Sequence, residues 1–209
     1  MDSLQIVFGI ACVTVAYLLG SINSAIIISK AFSLPDPRSL GSGNPGATNV
    51  LRTGNKAAAV ITLLGDLLKG LIPVLAVEIF TANTFLVSAT GVAALLGHMY
   101  PIYYGFKGGK GVATTLGVLI GFDWFLAVTW VVLWLVVALL FRYSSLAALI
   151  ATSVTLLVSW LTMNDWLGYS DNNHFIVIAI AIMTLFVFWR HCENIKKIIA
   201  GTESRISKK

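Results

Sequence analysis

The polar positions of this 209-residue chain gather into a few short stretches, and long apolar runs separate them. Residues 4–28, 57–80, 85–104, 124–141, 145–161 and 175–189 are almost continuously hydrophobic, and residues 112–121 form a shorter run of the same kind. A bilayer core is crossed by roughly 17–25 helical residues, so these runs predict membrane helices. The strands of a transmembrane barrel would alternate apolar and polar positions instead. The expected fold is therefore an all-α, polytopic helical membrane bundle. Residues 112–141 are long for one helix and carry Gly117, Gly121 and Asp123, which predict a break. Counting 112–121 separately gives seven membrane segments, and five result if residues 112–161 cross only once. Pro101 is expected to end or kink the third segment. Residues 4–28 read as one uncleaved helix, with Gly20, Ser21, Asn23 and Ser24 turned toward other helices rather than lipid.

Composition agrees with this pattern. The chain is 57% hydrophobic and 11% charged, with mean hydropathy +0.87, which excludes an ordinary soluble domain. No linker or strong repeat divides it, so residues 1–209 are expected to form a single integral membrane domain. The net charge of +5 raises the question of nucleic acid, but the positions of the charges answer it. Lys30, Arg38, Arg52, Lys56, Lys107, Lys110, Arg142, Arg190, Lys196, Lys197, Arg205, Lys208 and Lys209 all fall in alternate polar stretches, whereas Asp2, Glu78, Asp123, Asp165 and Asp171 fall in the others. The positive-inside rule then predicts an N-terminus outside and a C-terminus in the cytoplasm. Only Lys69 escapes this separation. It lies three residues from Asp66 in a membrane segment, on one helical face, where a mutually satisfied ion pair is at least as good an expectation as a substrate role. Two cysteines and three histidines show no metal-ligand spacing, so no metal or other cofactor is expected.

The polar stretches carry the candidate chemistry. Residues 41–52 read GSGNPGATNVLR, a run predicted to be loop throughout. The backbone N–H groups of Gly41, Gly43 and Gly46, with Ser42, Asn44, Thr48 and Asn49, offer many donors, and Arg52 adds a forked cation suited to phosphate. A second basic stretch, Lys107-Gly108-Gly109-Lys110-Gly111, also suits anions. It lacks the GxxxxGK[ST] spacing and the preceding strand of a nucleotide-hydrolysing loop. His191 and Asn194 are three apart, on one face if the tail is helical, and His191 suits either a general base or a hydrogen-bonding orienter. His98 is expected to be a satisfied histidine inside the bundle.

Three stretches, in order, resemble the three signatures of the bacterial acyl-phosphate:glycerol-3-phosphate acyltransferase family of integral membrane enzymes. They are residues 41–52, residues 97–117 (GHMYPIYYGFKGGKGVATTLG) and residues 190–203 (RHCENIKKIIAGTE). One departure is Cys192, where the family usually has arginine. The resemblance implies transfer of an acyl group from acyl phosphate to the 1-hydroxyl of sn-glycerol 3-phosphate. The products are lysophosphatidic acid and inorganic phosphate, in the first acylation of phospholipid synthesis. It implies no cofactor, and an active site facing the cytoplasm at a bacterial inner membrane. A soluble enzyme that makes acyl phosphate is an implied partner. It marks Ser42, Arg52, Lys110, His191 and Asn194 as catalytic. Gly41, Gly43, Asn44, Gly46, Thr48, Asn49, Lys107, Gly108, Gly109, Gly111 and Glu193 are marked as substrate- or phosphate-binding. The alternative class is a membrane carrier for a phosphorylated solute. Against it, the polar motifs gather at one predicted membrane face rather than the midplane, and no paired halves are visible.

Overall fold

The computed structural model describes residues 3–163 and 173–206. Among the described residues there are ten α-helices, two 3-10 turns and no strand. The helices are α1 (Ser3–Gly20), α2 (Ser24–Ala31), α3 (Ala47–Leu51), α4 (Lys56–Phe80), α5 (Thr84–Met99), α6 (Val112–Phe122), α7 (Trp124–Phe141), α8 (Ser144–Met163), α9 (His174–Arg190) and α10 (Cys192–Ile199). Five of them, α1, α4, α5 with its extension to Tyr104, α7 and α8, are long and apolar enough to cross a membrane. Counting the pair α9–α10 as one span bent by 59° makes six, and α6 is a shorter apolar helix. The predicted acidic loop carrying Asp165 and Asp171 lies outside the described residues, as do Asp2, Lys208 and Lys209. The chain divides into two compact units, Met1–Gly121 and Phe122–Lys209.

In the first unit, residues 4–28 are not one helix. The Asn23 side-chain oxygen accepts a hydrogen bond from the Ile26 N–H at 3.2 Å and caps a new helix, while the Ser21 hydroxyl donates to the Tyr17 carbonyl at 2.8 Å. Short polar side chains that bond their own backbone end helices in this way. Asn55 and Asn83 do the same for α4 and α5, accepting from Ala58 and Leu86 at 3.0 and 3.1 Å. The third segment stops at Met99, two residues before Pro101, as expected. Gly117 and Gly121 do not interrupt α6, because helix–helix contact uses their missing side chains. The break falls instead at Asp123, whose carboxylate caps α7 by accepting from Phe125 and Leu126 at 2.7 and 3.1 Å.

Glycines set the closest helix approaches. A methyl group on Gly20 would strike the Ala94 carbonyl, and one on Gly97 the Tyr17 carbonyl, so the α1 and α5 backbones touch at two points. The Tyr17 hydroxyl adds a 2.7 Å bond to the Tyr100 carbonyl. Gly70 abuts the Thr114 carbonyl and Gly117 the Leu67 carbonyl, joining α4 to α6 in the same way. Within a bilayer, where apolar burial gives helices no preference for each other over lipid, such close packing is a main source of association.

The second unit is built on α7, α8, α9 and α10. Trp130 of α7 donates its indole N–H to the Thr152 hydroxyl of α8 at 3.1 Å. Arg142, in left-handed conformation (φ 63°), turns the chain between them. Its guanidinium donates to the Ile206 carbonyl at 2.9 Å, and the Ile206 N–H donates back to the Arg142 carbonyl at 2.6 Å. These two bonds fasten the C-terminal tail to the α7–α8 turn.

Gly97→Ala should destabilise the protein by about 1–3 kcal/mol, because its methyl meets backbone that cannot yield. Gly9→Ala should be neutral or slightly stabilising, since its methyl would sit 3.7 Å from a flexible Leu86 methyl in ordinary contact. Thermal unfolding of the two variants in the same detergent compares them. Equal melting temperatures would contradict the close-contact account.

Candidate active site

The first polar stretch is built by local bonds. Asp36 caps a 3-10 turn, Pro37–Ser39, by accepting from the Arg38 N–H at 2.8 Å. The Arg38 guanidinium grips the same carboxylate with 2.7 and 3.0 Å bonds. That side-chain bond, ahead of the backbone one, holds the Asp36 carboxyl below the usual carboxylate range. Gly41 (φ 48°) and Gly43 (φ 69°) then take left-handed conformations that other residues rarely adopt. Gly41 also lies against the Arg52 stem, where a methyl group would sit 2.8 Å from Cδ.

The second half of this stretch is helical, which corrects the expectation of loop throughout. Residues 47–51 contain neither glycine nor proline, and Val50 buries completely against Ala25, Ala58 and Ala59. That burial holds the single turn α3 in place. Asn49, expected among the phosphate donors, is buried. Its amide donates to the carbonyls of Pro37 (2.5 Å) and Leu40 (2.7 Å), so it braces the loop from inside. Ser42, Thr48 and Arg52 remain on the exposed side, and Asn44 and Gly46 are half-buried.

The second stretch begins with two successive left-handed residues, Gly105 and Phe106, both at φ 60°. The chain then folds back on the end of α5. The Gly108 N–H donates to the Met99 carbonyl at 3.2 Å, and the Gly109 N–H to the His98 carbonyl at 3.1 Å. These glycines are needed for closeness. A side chain on Gly108 would strike the His98 carbonyl, and one on Gly109 the His98 ring. Gly111 (φ 80°) packs on Leu95 and Met99. Lys107 is exposed, and Lys110 is half-buried between the buried glycines 109 and 111. In the first stretch, the Asp36 hydrogen bond pushes Arg38 above its ordinary range.

Beneath this loop lies the expected ion pair. The Lys69 ammonium is 2.9 Å from the Asp66 carboxylate, and both side chains are over nine-tenths buried. Lys69 also donates to the Ile22 carbonyl at 2.6 Å. His98 faces the same carboxylate oxygen, with Nδ1 at 3.6 Å, and is itself buried. The Thr114 hydroxyl donates to the Asp66 carbonyl at 2.9 Å.

The third group belongs to the second unit. His191 sits at the bend between α9 and α10, 2% exposed, with Nδ1 2.8 Å from the Val187 carbonyl. A carbonyl only accepts, so Nδ1 carries a proton. Asn194, one turn on, is also buried, and its amide donates to Glu203 at 2.7 Å. The Ser145 hydroxyl donates to the same Glu203 oxygen at 2.6 Å. Glu193 points elsewhere: it is exposed and paired with Lys196 at 2.9 Å. Sequence reasoning assigned no part to Glu203 or Ser145. The available signal was Gly201, whose positive φ of 69° turns the chain back toward α10.

Arg52, Lys107 and Lys110 supply cations on glycine-rich backbone. His191 and Asn194 form a buried polar pair whose partners fix their orientation.

A profile described as glycerol-3-phosphate acyltransferase matches residues 10–201. The glycerol-3-phosphate acyltransferase of Francisella tularensis subsp. novicida is 50% identical over 194 residues, 93% of this chain and 91% of that protein. The one from Francisella philomiragia is equally similar over the same shares. A crystal structure of PlsY (YgiH), an integral membrane glycerol 3-phosphate acyltransferase in its glycerol 3-phosphate form, superposes with a TM-score of 0.86 at 40% identity. It covers 95% of this chain and 96% of that one. A second, the lysophosphatidic acid form, gives 0.84 at 38%, covering 94% of each.

The two glutamates should separate on mutation. Glu203→Ala leaves two buried donors without their acceptor and should cost about 1–3 kcal/mol for each bond that water cannot replace. Glu193→Ala should leave stability unchanged, because an exposed pair of this kind contributes little. Denaturation in detergent reads both. A Glu193→Ala loss as large as that of Glu203→Ala would reverse the assignment.

Proposed function

The chain belongs to the glycerol-3-phosphate acyltransferase family, and on that premise we propose that it acylates the 1-hydroxyl of sn-glycerol 3-phosphate with acyl phosphate as donor. The observation that carries the reading is the match to PlsY structures determined with glycerol 3-phosphate and with lysophosphatidic acid, a substrate and a product of this reaction. The site residues support it. The hydroxyl oxygen attacks the acyl carbon, the bond from that carbon to the phosphate oxygen breaks, and inorganic phosphate leaves with the hydroxyl proton. Phosphate is a good leaving group from a mixed anhydride, so the demanding task is to hold two phosphorylated molecules together. Arg52, Lys107 and Lys110 offset the repulsion between them, and Ser42, Asn44 and Thr48 orient oxygens. The loops are short for a donor that carries a large polar group, such as coenzyme A or a carrier protein. His191 and Asn194 orient the hydroxyl, with the donor's phosphate accepting the proton.

The basic stretches support a working face in the cytoplasm, and the proposal puts it at a bacterial inner membrane, with the N-terminus outside and the chain acting as one catalytic domain. The acyl chains then lie in the bilayer, and glycerol 3-phosphate arrives from water.

Purified protein in detergent, given palmitoyl phosphate and glycerol 3-phosphate, should form lysophosphatidic acid and phosphate. Palmitoyl-coenzyme A should not replace the donor. Detergent abolishes vectorial transport, so product formed there also excludes a carrier. Arg52→Ala should lose a charged hydrogen bond of about 1.5–3 kcal/mol, or roughly ten- to 150-fold in kcat/KM. Arg52→Lys should recover little, because a point charge does not replace a fork.

Cysteines introduced at Ser42 and Lys107 should be shielded in intact cells from an impermeant thiol reagent. Labelling of either from outside would overturn the orientation. The pH–rate profile tests His191. An orienting His191 leaves partial activity in His191→Asn and no limb near pH 6.5, whereas a basic one gives wild type such a limb and His191→Asn almost no rate.

A further inference from the structure

Two buried ionisable side chains of the first unit, Asp66 and His98, have no part in the reaction just described, yet the second phosphate-binding stretch is folded directly onto them. Gly109 lies so close to the His98 imidazole that a methyl group there would overlap Nε2 and sit 2.8 Å from Cε1. The N–H groups of Gly108 and Gly109 donate to the main-chain carbonyls of Met99 and His98. Just past the loop, the Thr114 hydroxyl donates to the main-chain carbonyl of Asp66, and the Thr115 N–H donates to Gly111 at 2.7 Å. The loop is therefore held at Gly108 by the Met99 carbonyl, at Gly109 by both the carbonyl and the ring of His98, and beyond its end by Asp66's carbonyl.

We infer that His98 and Asp66 are positioning residues for the glycine–lysine loop. The His98 ring, faced by the Asp66 carboxylate, is the floor under Gly109 and sets where Lys110 presents its ammonium to phosphate. The inference rests on reading that loop as a phosphate site. A flat ring lets backbone lie against it, and its Nδ1 gives Asp66 a polar neighbour that a phenyl ring would not. Lys69 holds the same carboxylate oxygen and is itself anchored to the Ile22 carbonyl, so the floor is fixed to the break between α1 and α2. A phosphate site whose cation shifts by about 1 Å loses much of its binding, so the ring's placement is read out in substrate affinity.

The test is a double-mutant cycle in steady-state kinetics on the purified protein. Gly109→Ala should raise the KM for glycerol 3-phosphate by ~10-fold or more and the KM for acyl phosphate by less than ~3-fold, a split that general destabilisation does not produce. In a His98→Ala background the space is open, and Gly109→Ala should add less than ~3-fold. If His98→Ala does not fold, His98→Asn replaces it in the cycle, keeping a polar group toward Asp66. Asp66 is tested by Asp66→Asn with Lys69→Gln, which removes both buried charges together and should raise the glycerol 3-phosphate KM by ~5-fold or more. Equal Gly109→Ala losses in both backgrounds, or equal effects on the two KM values, would overturn the positioning role. Lys110→Ala separates the underlying reading. An unchanged glycerol 3-phosphate KM there removes the phosphate site itself, while a raised KM beside additive losses removes only the inference.

Discussion

A carboxylate and an ammonium group sit over nine-tenths buried within one turn of α4, and the polar architecture of the first unit follows from satisfying them. An isolated charge in such surroundings is costly, and a buried pair is tolerable only when further hydrogen bonds complete it. Lys69 finds its second acceptor in the Ile22 carbonyl. That carbonyl is available because the Asn23 side chain has taken the Ile26 N–H that would otherwise have bonded to it. The interruption between α1 and α2 is thus the complement of a lysine two helices away. His98 faces the same Asp66 oxygen, and the backbone around His98 receives the glycine loop.

This arrangement gives the glycines of the second stretch a different meaning from the one that composition implies. Glycine-rich basic runs suggest backbone N–H groups held out to an anion. Here the N–H groups of Gly108 and Gly109 donate to protein carbonyls, and the missing side chains permit contact with α5. Under the proposed function, anion recognition then falls to the lysines that the tight backbone displays. Asn49 makes the same point in the first stretch: it looks like a ligand donor in the sequence and is an internal brace in the fold.

Much of the molecule was legible before any coordinates. Apolar runs gave the helices, Pro101 gave the end of the third segment, and Asp66 with Lys69 gave a buried pair from their spacing. What escaped depended on partners distant in sequence or on competition between local bonds. Asn23 read as a helix-face residue because nothing in the sequence says that its side chain will outcompete a backbone carbonyl. Residues 47–51 read as loop because the surrounding glycines masked the burial of Val50. Glu193, marked for substrate by the family resemblance, pairs with Lys196. Glu203 is the one that reaches Asn194, and only the turn at Gly201 shows why.

The placement of both charges on α4 bears on how the protein is made. Asp66 and Lys69 are three apart, so they can meet within the segment itself as it coils, without a partner from another helix. A nascent segment entering the bilayer would then carry one compact dipole instead of two separate ions. The Ile22 carbonyl and His98 would find a partner already neutralised when the bundle closes. Biogenesis of this enzyme therefore need not await assembly to resolve its most polar membrane helix.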